Sequence, residues 1–245
     1  MSYTTVLFDM DGVIVDTQES VAEFWQSLAT DHHVHVTQSD LNQHVYGCTA
    51  AHTLDALFPQ FSDQQRQSIY VKLQEYESNL KYKEVPGSVA LLQNLKRRGI
   101  RTALVTGAES WKASTVVQQL GIGKLLDAQV VAGDIRKGKP DPECYLLAAQ
   151  HLKTPPHSCI VFEDAISGVK AAVAAGALCI GIQRLSTELS LLEAGAYCTV
   201  PDFTAVNLQV LSKLENSIKT SLYMELSAGT KLPLISSQLQ LTTAL

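Results

Sequence analysis

The hydrophobic pattern divides the chain into stretches of different period. Residues 4–8 form a short apolar run rich in β-formers and end in the polar turn Asp9-Met10-Asp11-Gly12, a pattern typical of a buried strand. Between residue 17 and about residue 82, apolar side chains recur at helical spacing, as they do from Val21 to Leu28. This second stretch is predicted to be mostly helical and to contain no strand.

After Pro86-Gly87 the chain alternates between short apolar runs and longer segments of helical period. The runs that predict strands are residues 102–105, 128–132, 159–162 and 178–182. The predicted helices end at glycines, as at Gly99, Gly121 and Gly176, because glycine readily adopts the left-handed backbone that closes a helix. Strands that alternate with helices of this length predict parallel βαβ units.

The predicted fold class is therefore α/β, with a doubly wound, Rossmann-like parallel sheet that carries helices on both faces. Residues 1–16 and 84–218 are assigned to this core domain. The helical residues 17–83 are a separate domain, inserted after the first strand. From residue 219 to residue 245 the composition turns to Ser, Thr, Leu and Gln with no clear period, and we expect a loosely attached tail.

Composition narrows the class of protein. A chain of 245 residues, of which 46% are hydrophobic, can bury a large core without disulfides. The five cysteines are scattered and show no C-x-x-C pair or zinc-ligand spacing, which is typical of a reducing compartment. No signal-peptide pattern is present, and no segment reaches the roughly 18 uninterrupted apolar residues of a membrane helix. We therefore expect a cytoplasmic protein.

The charge distribution bears on the partner. A net charge of -5 without a basic stripe argues against nucleic acid or an anionic membrane as the main partner. We expect a small molecule instead, and a chain that is a monomer or a weak homo-oligomer.

Polar residues that handle phosphate and hard cations follow the predicted strands. They are Asp9 and Asp11 after the first strand, Thr106 and Gly107 after the second, Lys139 beyond the third, and Glu163 with Asp164 after the fourth. Because ligands of open parallel sheets bind at the carboxyl ends of the strands, we expect these groups to converge. Converging carboxylates repel each other unless a divalent ion lies among them, and a set of oxygen ligands without His or Cys favours Mg²⁺.

The other groups at these strand ends suit a phosphate ester. The Thr106 hydroxyl and the backbone amides of Gly107 and Ala108, ahead of a predicted helix, offer hydrogen bonds to phosphate oxygens, and Lys139 offers a positive charge. Phosphoryl transfer needs neutralised charge and in-line positioning, and a carboxylate can split it into two displacements through an aspartyl-phosphate. Asp9 is the candidate nucleophile. Asp11 is the candidate general acid and base.

Four motifs in this order resemble those of the haloacid dehalogenase superfamily. They are Asp9-Met10-Asp11-Gly12-Val13, Thr106-Gly107, Gly138-Lys139-Pro140 and Glu163-Asp164-Ala165. The resemblance spans roughly residues 5–184. It implies a magnesium-dependent enzyme with Asp9 as nucleophile, Asp11 as acid/base and as a metal ligand through its backbone carbonyl, Thr106 and Lys139 as phosphate binders, and Asp164 as a metal ligand. Glu163 is expected to join Asp164 at the metal or to lie just behind it.

The helical insertion resembles the small cap of this superfamily, with hinges near Thr17 and near residues 83–85. In the superfamily the cap selects the substrate. This insertion resembles that of the sugar-phosphate and glycerol-phosphate phosphatases, which favours a phosphatase acting on a small phosphorylated sugar or polyol. The alternative is an enzyme like β-phosphoglucomutase. Such mutases carry a His and an Arg in the cap, whereas the approximate counterparts here are Val21 and the pair Ala50-Ala51, which favours hydrolysis.

Simpler interpretations compete with these. An isolated D-x-D is usually a turn or a helix cap, and Glu163-Asp164 alone could cap the helix that follows. The chain could also be a non-catalytic binding module on the same fold, but the complete motif set argues against this. His52 is expected to be structural more often than substrate-binding, and Trp25 is expected to pack within the cap.

Overall fold

The computed structural model describes residues 2–183, 188–212, 220–226 and 229–235. The strands are β1 Thr5–Phe8, β2 Arg101–Val105, β3 Ala128–Val130, β4 Cys159–Glu163, β5 Leu178–Ile182, β6 Cys198–Val200, β7 Val206–Ser212, β8 Thr220–Leu226 and β9 Lys231–Leu234. The helices are α1 Gln18–Asp31, α2 Gln38–His44, α3 Ala50–Leu57, α4 Asp63–Ser78, α5 Ser88–Arg97, α6 Ser110–Leu120, α7 Glu143–His151, α8 Ile166–Ala174 and α9 Glu188–Glu193.

The core is a six-stranded parallel sheet in the order β3-β2-β1-β4-β5-β6. Its central strands are apolar and buried, and successive side chains enter different layers. Phe8 belongs to one buried cluster, with α5 and α6, and Leu7 belongs to the other, with α7 and α8. The predicted doubly wound parallel sheet is confirmed.

Strand register brings the predicted site residues to one level. Phe8 lies opposite Leu104 on β2 and Phe162 on β4. The next residue, Asp9, donates its backbone N–H to the Phe162 carbonyl, and so lies beside Glu163 at the end of β4. Since all these strands run parallel, their carboxyl ends form a single edge of the sheet.

Helices α1 to α4 form a block with its own buried cluster, in which Trp25 packs against Phe58. Helices α2 and α4 start at capping boxes on Thr37 and Ser62. The two connections between block and sheet run side by side, because the Asp16 N–H donates to the Lys83 carbonyl. This pairing lies at the predicted hinges. In the described residues between 17 and 83 the structure has helices and no strand, as predicted.

A second sheet follows the core, with antiparallel order β7-β8-β9. Leu222, Met224 and Leu226 alternate with polar residues along β8, and they join the main core cluster. Leu234 on β9 forms a bridge to Tyr3. The expectation of a loosely attached tail from residue 219 is therefore wrong for residues 220–226 and 229–235. The rest of that segment lies outside the described residues.

The predicted boundaries of the core strands agree with the structure to within two residues, as for β2 and β5. The short elements α9 and β6, together with the second sheet, were not predicted. None of the described helices is both long and apolar enough to cross a membrane.

Candidate active site at the carboxyl ends of the strands

Lys139 is the centre of the buried part of the site. Its ammonium donates to Asp9 Oδ1 at 2.5 Å, to Glu163 Oε1 at 2.7 Å and to the Val105 carbonyl at 3.3 Å. The Tyr145 hydroxyl donates to the same Glu163 oxygen at 2.5 Å, and its ring lies below the Lys139 ammonium. Lys139 and Glu163 are almost completely buried. Each partner therefore depends on the others for its charge balance.

Burial controls the acidity of these groups. Loss of water raises the pKa of Asp9 to about 7, although the adjacent Lys139 ammonium acts in the opposite direction. Burial also raises the pKa of Asp164 well above its usual value, and the carboxylates of Asp9 and Glu163 add to this. Burial alone would lower the pKa of Lys139, but these two carboxylates hold it well above its usual value. The site thus concentrates negative charge that one lysine does not neutralise.

The three buried carboxylates fit a divalent cation. Asp9, Glu163 and Asp164 each offer an oxygen within 4.8 Å of the others. Asp9 Oδ2 is buried and has no hydrogen-bond partner, so this oxygen is available to a cation or to phosphorus. An all-oxygen set of this kind suits Mg²⁺. Because Glu163 Oε1 already accepts from Lys139 and Tyr145, Asp9 and Asp164 are the better ligands.

Gly12 leaves room for the Asp164 carboxylate. Its φ is +76°, a backbone angle that residues with a side chain rarely adopt. A Cβ atom there would lie 1.8 Å from Asp164 Oδ2. The first motif therefore needs glycine at this position for steric reasons. The Gln18 amide, at the start of α1, donates to the same carboxylate oxygen at 2.8 Å.

Thr106 lies buried at the end of β2, next to the Asp9 strand. Its hydroxyl accepts the Ala108 backbone N–H at 3.0 Å, so that amide is engaged within the loop. Helix α6 starts only at Ser110, with Glu109 as its N-cap. The structure thus places Thr106, Gly107 and Ala108 at the predicted strand end, in a turn before the helix.

Asp11 lies apart from the three buried carboxylates. Its Oδ1 atom accepts from the Thr17 hydroxyl at 2.6 Å and from the Lys112 ammonium at 2.9 Å. The side chain is 24% exposed, in contrast to the buried Asp9. The Asp11 carboxylate is therefore turned away from Asp9, toward Thr17 at the start of the helical block and Lys112 of α6. The metal contact predicted for Asp11 is through its backbone carbonyl and does not depend on these side-chain contacts.

A cleft lies between this edge and the helical block. It is lined by Asp9, Asp11 and Asp164, by Thr106 and its loop, and by residues of the block that include Val21, Phe24, Ala50 and Glu77. Lys112 is the one lysine or arginine among the described residues that line it. His52 is not among the lining residues and instead contacts His44 at 3.3 Å.

Comparison with known proteins shows the family to which this chain belongs. The model for haloacid dehalogenase-like hydrolases matches residues 3–176. The chain belongs to the haloacid dehalogenase-like hydrolase family. The family and the hydrolase class predicted from the sequence are thus confirmed.

Individual relatives of this hydrolase include phosphatases and a mutase. A phosphorylated carbohydrates phosphatase of Thermotoga maritima is 32% identical over 209 residues, which are 83% of this chain and 96% of the relative. The β-phosphoglucomutase of Bacillus subtilis is 29% identical over 188 residues, 72% of this chain and 82% of that one. A solved hydrolase of Pseudomonas syringae has the same fold, with a TM-score of 0.71 at 23% identity over 80% of this chain and 92% of that one.

Several residues of this family member's site were not predicted. Lys112, Gln18 and Tyr145 contact predicted groups, and Glu77 contacts Lys112, but all four lie outside the four motifs. The contact between Lys112 and Glu77 joins residues 35 positions apart. A sequence motif records a local spacing, and such a contact has none.

Proposed function

We propose that the chain is a Mg²⁺-dependent phosphatase that hydrolyses a small phosphorylated sugar or polyol through an aspartyl-phosphate on Asp9. The observation that carries this proposal is the buried, unpartnered Asp9 Oδ2 beside Lys139 and Asp164. A buried carboxylate oxygen without a hydrogen-bond partner costs free energy of folding. Such an oxygen is retained where a bound ligand supplies the missing contact. Residues 17–83 would act as a cap over this core, and the substrate would bind in the cleft between them.

The chain's own residues can carry both displacements. An oxygen of Asp9 forms a bond to phosphorus, the bond from phosphorus to the ester oxygen breaks, and Asp11 gives its proton to that oxygen, which leaves as an alcohol. A water then attacks phosphorus, its proton passes to Asp11, and the bond to Asp9 breaks to release phosphate. Lys139 and Thr106 orient the phosphoryl oxygens. Held by Asp9 and Asp164, Mg²⁺ would neutralise phosphate charge.

The lining of the cleft favours hydrolysis over the mutase reaction. A mutase must hold a second phosphate in the cap, which calls for a cation there. Val21 and Ala50, near the positions where such mutases carry His and Arg, line this cleft with apolar side chains. Lys112 is already shared by two carboxylates. A neutral leaving group, such as a polyol, suits these walls better than a second phosphate does.

A panel of phosphate esters tests this proposal. We expect phosphate release from phosphorylated sugars or polyols, measured beside phosphoglycolate, pyrophosphate and the isomerisation of β-glucose 1-phosphate. Conversion of β-glucose 1-phosphate to the 6-phosphate without phosphate release would assign the chain to the mutases. A chain that acts on no ester of the panel would remove the proposed substrate class.

Magnesium should act on both activity and stability. EDTA is expected to stop phosphate release and Mg²⁺ to restore it, because the buried carboxylates need a counter-charge. Mg²⁺ at about 100 times its Kd should stabilise the fold by about 2.7 kcal/mol, and the melting temperature should rise by about 5–10 °C. Asp164→Asn should lose most of this rise, whereas the exposed Asp31→Asn should keep it. Turnover in EDTA would contradict the proposed metal dependence.

A further inference from the structure

Lys112 connects the helical block to Asp11. It lies in the first turn of α6, and its side chain is 5% exposed. The ammonium contacts Asp11 Oδ1 at 2.9 Å and Glu77 Oε1 at 2.6 Å. Glu77 stands near the end of α4, in the block, and its side chain is 7% exposed. One buried cation is thus shared by a carboxylate of the block and a carboxylate of the strand edge.

This contact selects one oxygen of Asp11. Lys112 and Thr17 both donate to Oδ1. No donor among the described residues reaches Oδ2, and Asp11 lines the cleft. With Oδ1 held from two sides, the carboxylate cannot rotate freely, so Oδ2 is the oxygen left to exchange a proton with the substrate or water.

The position of Lys112 depends in turn on the helical block. A lysine side chain has many rotamers and loses much conformational freedom when its ammonium is fixed. Glu77 and Asp11 fix the ammonium between them, and the Tyr82 hydroxyl steadies the same turn by donating to the Glu77 carbonyl at 3.2 Å. If the block moved from the strand edge, Lys112 would lose one of the two carboxylates.

We propose that Lys112, anchored by Glu77 of the helical block, is a positioning residue that holds Asp11 through Oδ1 and directs Oδ2 at the leaving group. The proposal rests on the proposed phosphatase function. The contact between Lys112 and Glu77 couples the position of the helical block to the proton transfer. Asp11 is therefore correctly placed only when the block covers the cleft.

The test compares two leaving groups. The p-nitrophenolate ion leaves p-nitrophenyl phosphate without a proton, whereas the alkoxide of glycerol 3-phosphate needs one. We expect Lys112→Met to lower kcat/KM for glycerol 3-phosphate by about 100-fold, a typical loss for a misplaced general acid. The same variant should lower kcat/KM for p-nitrophenyl phosphate by less than about threefold. Equal losses on both esters, or no loss on either, would overturn the proposal.

Two further variants locate the effect. Glu77→Gln should lower kcat/KM for glycerol 3-phosphate by about tenfold. The double variant that combines Glu77→Gln with Lys112→Met should have the same kcat/KM as Lys112→Met alone, because Glu77 acts through Lys112. Additive losses would contradict that route. Lys96→Met serves as the control, since Lys96 pairs with Asp127 away from the cleft. It should leave both esters unaffected.

Crystal structures of the wild type and of Lys112→Met supply a readout that needs no turnover. We expect the Asp11 carboxylate to rotate about its side chain in the variant while Thr17 stays in place. An unchanged Asp11 would refute the positioning role even if activity fell. If the wild-type chain hydrolyses no ester, the phosphatase proposal fails, and these two structures still decide the role of Lys112.

Discussion

Asp9→Asn is expected to lower the rate of phosphate release by at least about 10⁴-fold while the protein stays folded, because the amide cannot attack phosphorus. The substitution preserves the size of the side chain and an oxygen that can accept from Lys139. It also removes a carboxylate whose burial raises its pKa to about 7, so little stability should be lost. Turnover rates and the melting temperature of the purified variant measure the two effects.

The exposed Asp55→Asn is the matched control. Asp55 pairs with Arg66 on the surface, and loss of that pair should change neither activity nor stability appreciably. Mass spectrometry of the wild type, quenched during turnover, should find one phosphoryl group on the peptide that carries Asp9. Rapid phosphate release by Asp9→Asn, or a phosphoryl group on another residue, would exclude Asp9 as the nucleophile.

The first strand shows how much of the site a sequence can record. A buried parallel strand is largely apolar, so the change from Phe8 to Asp9 marks its carboxyl end. Topology then brings Thr106, Lys139 and Glu163 to the same edge. The structure assembles these predicted groups, because the rule that parallel strands end together needs no knowledge of side-chain packing.

Contacts across the cleft could not be predicted in the same way. Glu77 meets Lys112 only after α4 and α6 pack together, and the helical period of each segment does not say which polar residue faces which. The orientation of Asp11 depends on that packing. The sequence identifies Asp11 as an acid at a strand end, whereas its turn away from Asp9 and toward Thr17 is a property of the folded chain.

The second sheet was missed for another reason. Leu222, Met224 and Leu226 alternate with polar residues, which is the period of a strand with one buried face. The composition of the wider segment, rich in Ser and Thr, hid this short signal. The period within residues 220–226, taken by itself, is typical of a strand.

Gly168→Ala should lower both the stability and the activity of the protein. A Cβ atom at this position in α8 would lie 1.9 Å from Glu163 Oε1, the oxygen that accepts from Lys139 and Tyr145. Because Glu163 is buried, its carboxylate must leave both donors to make room. Breaking a buried ion pair typically costs about 3–5 kcal/mol, so we expect a melting temperature lower by about 6–20 °C.

Activity should fall with stability, because Lys139 also holds Asp9. With Glu163 displaced, Lys139 keeps a single carboxylate partner and no longer fixes Asp9 from a defined side. We expect kcat to fall by about 100-fold, since misplacement by about 1 Å has that effect on positioned groups. Gly133→Ala is the matched control, because a Cβ atom there meets nothing within 4 Å. Equal melting temperatures and rates for the two variants would show that Glu163 does not hold Lys139 and Asp9 in the active arrangement.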